Sequence, residues 1–299
     1  MKKQKIIVIL GQTATGKSNL AVKIAKKIDG EVISADSRQV YKNLNIGTGK
    51  ITKKEMKGVP HHLLDVVDPK KKFTVAEYQK LAISAIAEIV SRDRIPIICG
   101  GTGFYIDAIT KGIVFPEVLP NPKLRKTLHS KSAIALFEYL KKLDPRRAED
   151  IKNKNEQNNK IRLVRAIEIA KALGKVPELK YDTNSAMAKN VSSYKFIKIG
   201  LYLPPDKLKK KIEKRVKKMF QDKLLKEIKS LKKSGVAKKR LKEFGFEYDS
   251  PTYEKMVKET IKYTKRQMTW FKRDKEIKWF DASKKNLFAY VSSVLHALK

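Results

Sequence analysis

The residues best suited to chemistry form one short segment that fits the pattern G-x-x-x-x-G-K-[ST] without substitution: Gly11, Gln12, Thr13, Ala14, Thr15, Gly16, Lys17 and Ser18. Its glycines let the backbone curl so that successive N–H groups point inward at phosphate oxygens. A helix that begins at the end of the segment adds its positive N-terminal end. In such loops the lysine contacts the terminal phosphates and the hydroxyl after it ligates Mg²⁺. The segment therefore predicts a binding site for a diphosphate or triphosphate group with Mg²⁺.

The elements around this loop predict an α/β fold with a parallel sheet. Residues 6–10 form a wholly apolar run, typical of a buried parallel strand, and residues 18–28 carry apolar side chains at helical spacing. Residues 32–35 and 95–99 read as two further buried strands, and residues 75–91 between them as a helix. Strands that alternate with helices indicate a parallel sheet with crossover connections.

Two polar residues follow the other predicted strands. Asp36 comes directly after the strand at 32–35, and Thr102 follows Gly100-Gly101 after the strand at 95–99. Ligands of open α/β sheets bind beyond the carboxyl ends of the strands, so the loop, the carboxylate and the hydroxyl should share one crevice. An alternative for Asp36 is a structural cap on the next turn, a role to which Asp-Ser is well suited.

This set of groups fits two reactions. One is phosphoryl transfer to a small acceptor, as in a nucleoside-monophosphate kinase. The other is displacement of pyrophosphate from a carbon atom, with the carboxylate activating the nucleophile. The strand at 95–99 lacks the second carboxylate that usually binds the metal in NTP-driven kinases, which disfavours the first reaction without excluding it. The residues alone leave the first two reactions open.

The pattern of predicted secondary structure changes near residue 115. Three prolines between residues 116 and 122 predict a boundary, and residues 123–174 read as helices. Residues 176–193 read as a loop, and a strand-like alternation returns at 196–203. We therefore expect one domain from residues 1–115 and 196–299, interrupted by a mostly helical domain at 116–195. After residue 205 the pattern predicts helices only.

The charge is strongly positive. The chain has 68 Lys and Arg against 31 Asp and Glu, a net charge of +37. Residues 205–299 hold 29 of the basic and 12 of the acidic residues, which favours a localised polyanion-binding face over a uniform bias toward lysine. There is no apolar run of 18 residues, which excludes a spanning helix, and the single Cys99 excludes an intrachain disulfide. These features predict a cytoplasmic protein that binds a polyanion and no membrane.

Several longer strings identify a family. They are Ile33-Ser34-Ala35-Asp36-Ser37-Arg38-Gln39-Val40-Tyr41, Pro60-His61-His62-Leu63-Leu64-Asp65-Val66, Gly100-Gly101-Thr102-Gly103-Phe104-Tyr105, Arg162-Leu163-Val164-Arg165-Ala166-Ile167-Glu168 and Lys265-Arg266-Gln267-Met268-Thr269-Trp270-Phe271. With these motifs and the loop, in this order over nearly the whole chain, the sequence resembles the tRNA dimethylallyltransferases (tRNA isopentenyltransferases) of bacterial type. The resemblance implies a P-loop NTPase-like parallel-sheet core with a helical insertion domain and a helical, basic C-terminal region.

The resemblance also implies a reaction: transfer of a dimethylallyl group from dimethylallyl diphosphate to N6 of adenosine 37 in the tRNA anticodon loop, with release of pyrophosphate. In this family the loop holds the diphosphate with Mg²⁺, and Ser18 matches the metal-binding hydroxyl. Asp36 matches the carboxylate favoured as general base, Thr102 a threonine at the target base, and Arg215 an arginine on the pyrophosphate. A monomer is expected.

The resemblance further assigns a set of residues to tRNA contact. Besides Asp36 and Thr102 at the target base, they are Ser37, Arg38, Gln39, Arg125, Ile161, Arg162, Leu163, Val164, Arg165, Lys265, Arg266 and Gln267.

The chain departs from the family pattern on the tRNA side. The usual Arg-Val-Asp before Met is Arg215-Val216-Lys217-Lys218-Met219, and the usual Gly-Tyr followed by a basic residue is Gly245-Phe246-Glu247-Tyr248. Two other functions stay open: an adenylate isopentenyltransferase acting on free AMP, and an RNA-binding protein that has lost catalysis. The intact loop, Asp36 and Thr102 argue against the second. The pair His61-His62 has no third metal ligand at suitable spacing, and a hydrogen-bonded loop role is expected for it.

Overall fold

The protein is built on a six-stranded, all-parallel sheet. The computed structural model describes residues 3–178 and 193–296. In the order β3-β2-β4-β1-β5-β6, the sheet contains β1 (Gln4–Gly11), β2 (Gly30–Ala35), β3 (His61–His62), β4 (Ile95–Gly100), β5 (Tyr194–Tyr202) and β6 (Lys278–Asp281). The central position of β1 explains its wholly apolar run, because a strand covered by helices on both faces has no solvent side.

The register of the central strands determines which loops meet. Ile7 of β1 lies beside Ile97 of β4 and Ile197 of β5, and Ala35 of β2 lies beside Gly100 of β4. Side chains of β1 alternate between two hydrophobic clusters, one on each face of the sheet. The carboxyl ends of β2, β4 and β1 therefore lie side by side at one edge.

Helices connect and cover the strands. The bounds are α1 Lys17–Ile28, α2 Lys53–Met56, α3 Val75–Ser91, α4 Gly103–Thr110, α5 Pro122–His129, α6 Ala133–Leu143, α7 Pro145–Asn153, α8 Lys160–Leu173, α9 Pro205–Gln221, α10 Leu224–Lys233, α11 Lys238–Phe244, α12 Tyr253–Phe271 and α13 Leu287–His296. Local sequence explains their starts: Thr74, for example, forms a capping box with Glu77 at the N-terminus of α3. Within the ranges that the structure describes, none of these helices is both long and apolar enough to cross a membrane.

The parallel sheet and the elements predicted around it are confirmed, with two corrections. The four predicted strands and the helix at 75–91 are present, with ends within two residues of the prediction. The expectation of helices alone after residue 205 is wrong, because β6 pairs with β5. Strand β6 is only four residues long and half-buried, so its alternation of apolar and polar residues is too short to be recognised as a strand. His61 and His62 form the edge strand β3 rather than a loop, although both rings are hydrogen-bonded as expected.

The chain divides into two compact units. Unit 1 comprises residues 1–112 and 189–299, and unit 2 comprises residues 113–188. The corresponding boundaries predicted from the sequence are at residues 116 and 195. Unit 2 contains helices α5 to α8 around its own hydrophobic core. Of the loop predicted at 176–193, residues 179–192 lie outside the described part.

A single buried carboxylate with three basic partners lies near the amino ends of the strands. Glu31 near the start of β2 is only 2% exposed, and its carboxylate accepts hydrogen bonds from Arg92 and Arg94, both at 2.9 Å, and contacts His62 Nε2 at 2.6 Å. Burial alone would raise the pKa of Glu31, but the hydrogen bonds from His62, Arg94 and Arg92 outweigh it, and the pKa is lowered. The ionised form is therefore preferred in the folded protein.

Replacing Glu31 with Gln is expected to lower the free energy of unfolding by about 2 kcal/mol at pH 7, because it removes the buried charge with which the partly exposed Arg92, Arg94 and His62 pair. The lowered pKa means that this contribution is present above the unfolded-state pKa of Glu and disappears as the pH falls through the folded-state value. Urea denaturation at pH 7 and pH 4 measures both effects. The control is Glu88→Gln, which removes the exposed partner of Arg92. An equal loss in both variants would contradict the prediction.

Candidate active site

The loop between β1 and α1 has the backbone conformation that its glycines allow. Gly11 has φ +130°, and a Cβ there would overlap the carbonyl oxygen of Leu201 on β5, so no other residue fits. Gly16 has φ +88° and caps the N-terminus of α1. Inside the loop, the Thr15 hydroxyl donates to the Gln12 carbonyl at 2.8 Å. The loop is thus held in shape by the sheet and by its own hydrogen bonds.

Lys17 is the cation of this loop. Its Nζ donates to the Gln12 carbonyl at 2.6 Å, which folds the side chain back over the loop. Burial lowers the pKa of Lys17 to about 8; Cys99 and Asp36 raise it, and Arg215 lowers it further. A cation that is poorly solvated and close to a second cation gains from binding an anion. Next to it, Ser18 is exposed in the first turn of α1.

Asp36 lies at the same edge of the sheet. Its Oδ1 accepts the backbone N–H groups of Arg38 at 2.8 Å and Gln39 at 3.2 Å. Asp36 therefore does cap the following turn, and it does so with one oxygen. Within the described residues no hydrogen bond to Oδ2 is found. One carboxylate oxygen thus fixes the side chain while the other is available to a substrate.

Thr102 is joined to the Asp36 segment. Its Oγ1 accepts the Ser37 N–H at 3.0 Å, and its own N–H donates to the Ala35 carbonyl at 3.2 Å. Although Thr102 is the N-cap residue of α4, its side chain makes no capping hydrogen bond. The pairing of β2 with β4 therefore places the hydroxyl of Thr102 beside the carboxylate segment, as the sequence predicts.

Arg215 reaches this crevice from α9. Its Nη2 donates to the Thr48 carbonyl at 2.9 Å, and a Cβ at Gly49 would overlap its guanidinium group. Burial lowers the pKa of Arg215, against the opposing effects of Asp36 and Glu247. The guanidinium group is thus a partly desolvated cation near Lys17 and Asp36.

Glu227, which was not predicted as a site residue, holds the loop that precedes the Arg215 contacts. The Glu227 carboxylate accepts three backbone N–H groups, those of Asn45, Ile46 and Gly47, at 2.7–3.1 Å, and also the Tyr248 hydroxyl at 2.9 Å. An acid on a lysine-rich amphipathic helix carries no local signal of this role. Only the tertiary fold shows that Glu227 holds the residues immediately before Thr48 and Gly49, which Arg215 contacts.

Two further side chains that were not predicted as site residues lie close enough to Asp36 to interact with it electrostatically. Glu247, noted only as a departure from the family pattern, has its pKa raised to about 7 by burial, against the influence of Arg38 and Arg215. Tyr263 on α12 lies within hydrogen-bonding reach of Thr102, and burial raises its pKa to about 12. The crevice therefore combines the predicted groups with a carboxyl group and a phenol supplied by the C-terminal region.

The predicted tRNA-contacting residues of unit 1 fall into two groups. Ser37, Arg38 and Gln39 are half-buried beside Asp36, whereas Lys265 and Arg266 are exposed on α12. Gln267 differs from both, because it is 5% exposed and its amide is hydrogen-bonded to Thr13 and Gly101. The predicted tRNA contact of Gln267 stays a prediction, and the structure shows its side chain in contact with the phosphate-binding loop.

In unit 2 only part of the predicted set is accessible. Ile161 is 78% exposed and Arg162, also exposed, pairs with Glu156. The side chains of Leu163 and Val164 are buried in the core of unit 2, and the tRNA contact predicted for these positions stays a prediction.

The two remaining arginines of unit 2 are engaged within it. Arg125 donates two hydrogen bonds of 2.7 Å to the buried Glu168, and Arg165 donates to the Val118 carbonyl at 2.9 Å. Both remain partly exposed, but they also stabilise the unit.

The donor set around the loop fits a metal ion that arrives with a ligand. No group of three His, Cys, Asp or Glu side chains suited to a metal is found among the described residues. Mg²⁺ in phosphate sites commonly takes one or two protein oxygens and completes its shell with phosphate oxygens and water. Ser18, an exposed residue next to Lys17, is compatible with such an ion through its hydroxyl oxygen.

Comparisons with known proteins agree on one family. The family model described as "IPP transferase" matches residues 39–274. The tRNA dimethylallyltransferase of Caldanaerobacter subterraneus subsp. tengcongensis is 40% identical over 97% of this chain and 98% of its own length. That of Bacillus subtilis is 35% identical, with 98% of each chain covered.

Solved structures give the same result. The full-length tRNA isopentenylpyrophosphate transferase of Bacillus halodurans superposes with a TM-score of 0.68 at 33% identity and covers 99% of this chain and 96% of its own. A eukaryotic dimethylallyltransferase, studied as crystallographic snapshots of its action on tRNA, superposes with a TM-score of 0.74 at 27% identity. It covers 97% of this chain, which in turn covers 78% of that longer one.

Proposed function

The chain belongs to the IPP transferase family, and we propose that it transfers a dimethylallyl group from dimethylallyl diphosphate to N6 of adenosine 37 in tRNA and releases pyrophosphate. The observation that carries this proposal is the convergence of the phosphate-binding loop, Asp36 and Thr102 at the carboxyl ends of adjacent strands. The curated relatives, similar over nearly their full length, are named as tRNA dimethylallyltransferases.

The loop side of the crevice is suited to the departing diphosphate. When the C1–O bond of an allylic diphosphate breaks, the electron pair stays on the diphosphate oxygen, and neutralising that charge lowers the barrier. The inward N–H groups of the loop, Lys17 and Arg215 provide fixed positive charge and dipoles in a partly desolvated site. The Ser18 hydroxyl would hold Mg²⁺ together with the diphosphate, and the ion would supply further charge neutralisation there.

The opposite side of the crevice is suited to the acceptor. N6 of adenine is a weak nucleophile, and one of its protons must leave as the new N6–C1 bond forms. The Oδ2 of Asp36 accepts that proton in our proposal, since Oδ1 is already held by the Arg38 and Gln39 N–H groups. The Thr102 hydroxyl, fixed by Ser37, contacts the target base.

The basic C-terminal region is suited to an acceptor as large as tRNA. A base stacked in an anticodon loop must be flipped out before it can enter the crevice, and the surrounding RNA must be gripped by its phosphates. Exposed Lys265 and Arg266 on α12 provide cations next to the site, and Ile161 and Arg162 are exposed in unit 2. In this proposal the enzyme acts on tRNA as a monomer.

Transfer to free AMP is the alternative reaction. A small acceptor requires neither the helical unit 2 nor 29 basic residues in the last 95, and both features favour tRNA. The experiment incubates the protein with Mg²⁺ and radiolabelled dimethylallyl diphosphate, together with unmodified tRNA and AMP in one reaction. We expect label in tRNA alone. A tRNA in which guanosine replaces adenosine 37 should not be labelled. Label in AMP alone would contradict the proposal.

A further inference from the structure

One amide side chain is hydrogen-bonded both to the phosphate-binding loop and to the turn before Thr102. Gln267, four residues before the C-terminal end of α12, accepts the N–H of Thr13 through Oε1 at 2.9 Å. Its Nε2 donates to the carbonyl of Gly101, also at 2.9 Å. Because a backbone N–H can only donate and a carbonyl can only accept, these partners determine the orientation of the amide.

Both partners belong to the site. Thr13 is in the phosphate-binding loop, and Gly101 immediately precedes Thr102. A Cβ at Gly101 would overlap Nε2 of Gln267, so the helix approaches this turn as closely as glycine allows. One turn further on, Trp270 Nε1 donates to Asp107 at 3.1 Å, which seats the same face of α12 on α4. Helix α12 therefore positions both the segment that carries Thr102 and the loop that carries Lys17.

We propose that Gln267 is a positioning residue that sets the geometry of the diphosphate loop relative to Thr102. By occupying the Thr13 N–H, the amide holds the entry of the loop in place, while the N–H groups of residues 14–18 remain for the ligand. The inference rests on the proposed function in one respect, that the loop binds diphosphate. It assigns to Gln267 an effect on the donor, whereas a tRNA-contacting side chain would affect the acceptor.

The substitution Gln267→Met separates these roles. Methionine fills a similar volume and removes both hydrogen bonds without burying a charge. Thr264→Val is the matched control, because Thr264 is buried on the same helix and its hydroxyl donates at 2.7 Å only to the Ile261 carbonyl within α12. Gln267→Glu is the second variant: it keeps an acceptor for Thr13 but turns an oxygen toward the Gly101 carbonyl.

Steady-state kinetics and calorimetry with inorganic pyrophosphate and Mg²⁺ test the proposal. For Gln267→Met we expect about a tenfold higher KM for dimethylallyl diphosphate, a matching loss of pyrophosphate affinity and about a 100-fold lower kcat, since small misplacements of reacting groups are costly. The KM for tRNA should be unchanged. Gln267→Glu should lose at least as much, and Thr264→Val should behave as the wild type.

Three results would overturn the proposal. The first is wild-type kcat and pyrophosphate affinity in both Gln267 variants. The second is a raised KM for tRNA alone, which would return Gln267 to the acceptor side. The third is an equal loss in Thr264→Val, which would indicate general weakening of α12. If the wild type itself fails to bind pyrophosphate, the proposed function is contradicted along with the inference.

Discussion

Asp36→Asn should transfer dimethylallyl groups about 100- to 10,000-fold more slowly than the wild type, the range typical of a lost general base. An amide keeps the Oδ1 acceptor for the Arg38 and Gln39 N–H groups, so the turn should stay intact. What it loses is the ability to take the proton from N6. Single-turnover transfer from labelled donor measures the loss, and filter binding of tRNA should show unchanged affinity.

The matched control for this variant is Asp281→Asn. Asp281 also accepts a backbone N–H, that of Ser283 at 2.8 Å, but it lies on the edge strand β6. We expect it to retain the wild-type rate. Unimpaired single-turnover transfer by Asp36→Asn would remove Asp36 from the role of base, and a loss confined to tRNA affinity would make it a binding residue only.

Lys17→Met should lower kcat/KM for dimethylallyl diphosphate by about 100- to 1,000-fold, the loss typical when one preorganised donor to a developing charge is removed. The reason is the position of Lys17 in a poorly solvated loop, where its charge is weakly screened. Inhibition by pyrophosphate should weaken in parallel, because the same positive charge binds the diphosphate of the donor and the released pyrophosphate.

Lys23→Met provides the comparison on the same helix. Lys23 is exposed on α1, so its loss removes a positive charge without touching the loop. We expect its kinetics with the donor to match the wild type. If both lysine variants lost activity equally, the effect would reflect the net charge of the protein rather than the loop.

The site was predictable wherever its residues lie directly after strong elements. The apolar run of β1 and the glycines of the loop act locally, so their conformation follows from the sequence. The proximity of Asp36 and Thr102 could be predicted from the sequence, because adjacent parallel strands end at one edge of the sheet. Neither step needed knowledge of distant packing.

The rest of the site depends on contacts between residues far apart in the chain. Gln267 bonds to Thr13 across 254 residues, and Glu227 to Gly47 across 180. Polar residues on amphipathic helices carry no mark of such partners. For the same reason Leu163 and Val164, which belong to a family motif, could not be recognised as core residues of unit 2 from the motif alone.

The central claim is that one crevice holds the diphosphate on the loop and presents N6 to Asp36. The most direct measurement is a crystal structure with an anticodon stem-loop, Mg²⁺ and a donor analogue whose bridging oxygen is replaced by sulfur. We predict the diphosphate on the N–H groups of residues 14–18, with Lys17 and Arg215 in contact and N6 within hydrogen-bonding distance of Asp36 Oδ2. A diphosphate bound away from this loop, or an Asp36 carboxylate turned away from N6, would contradict the account.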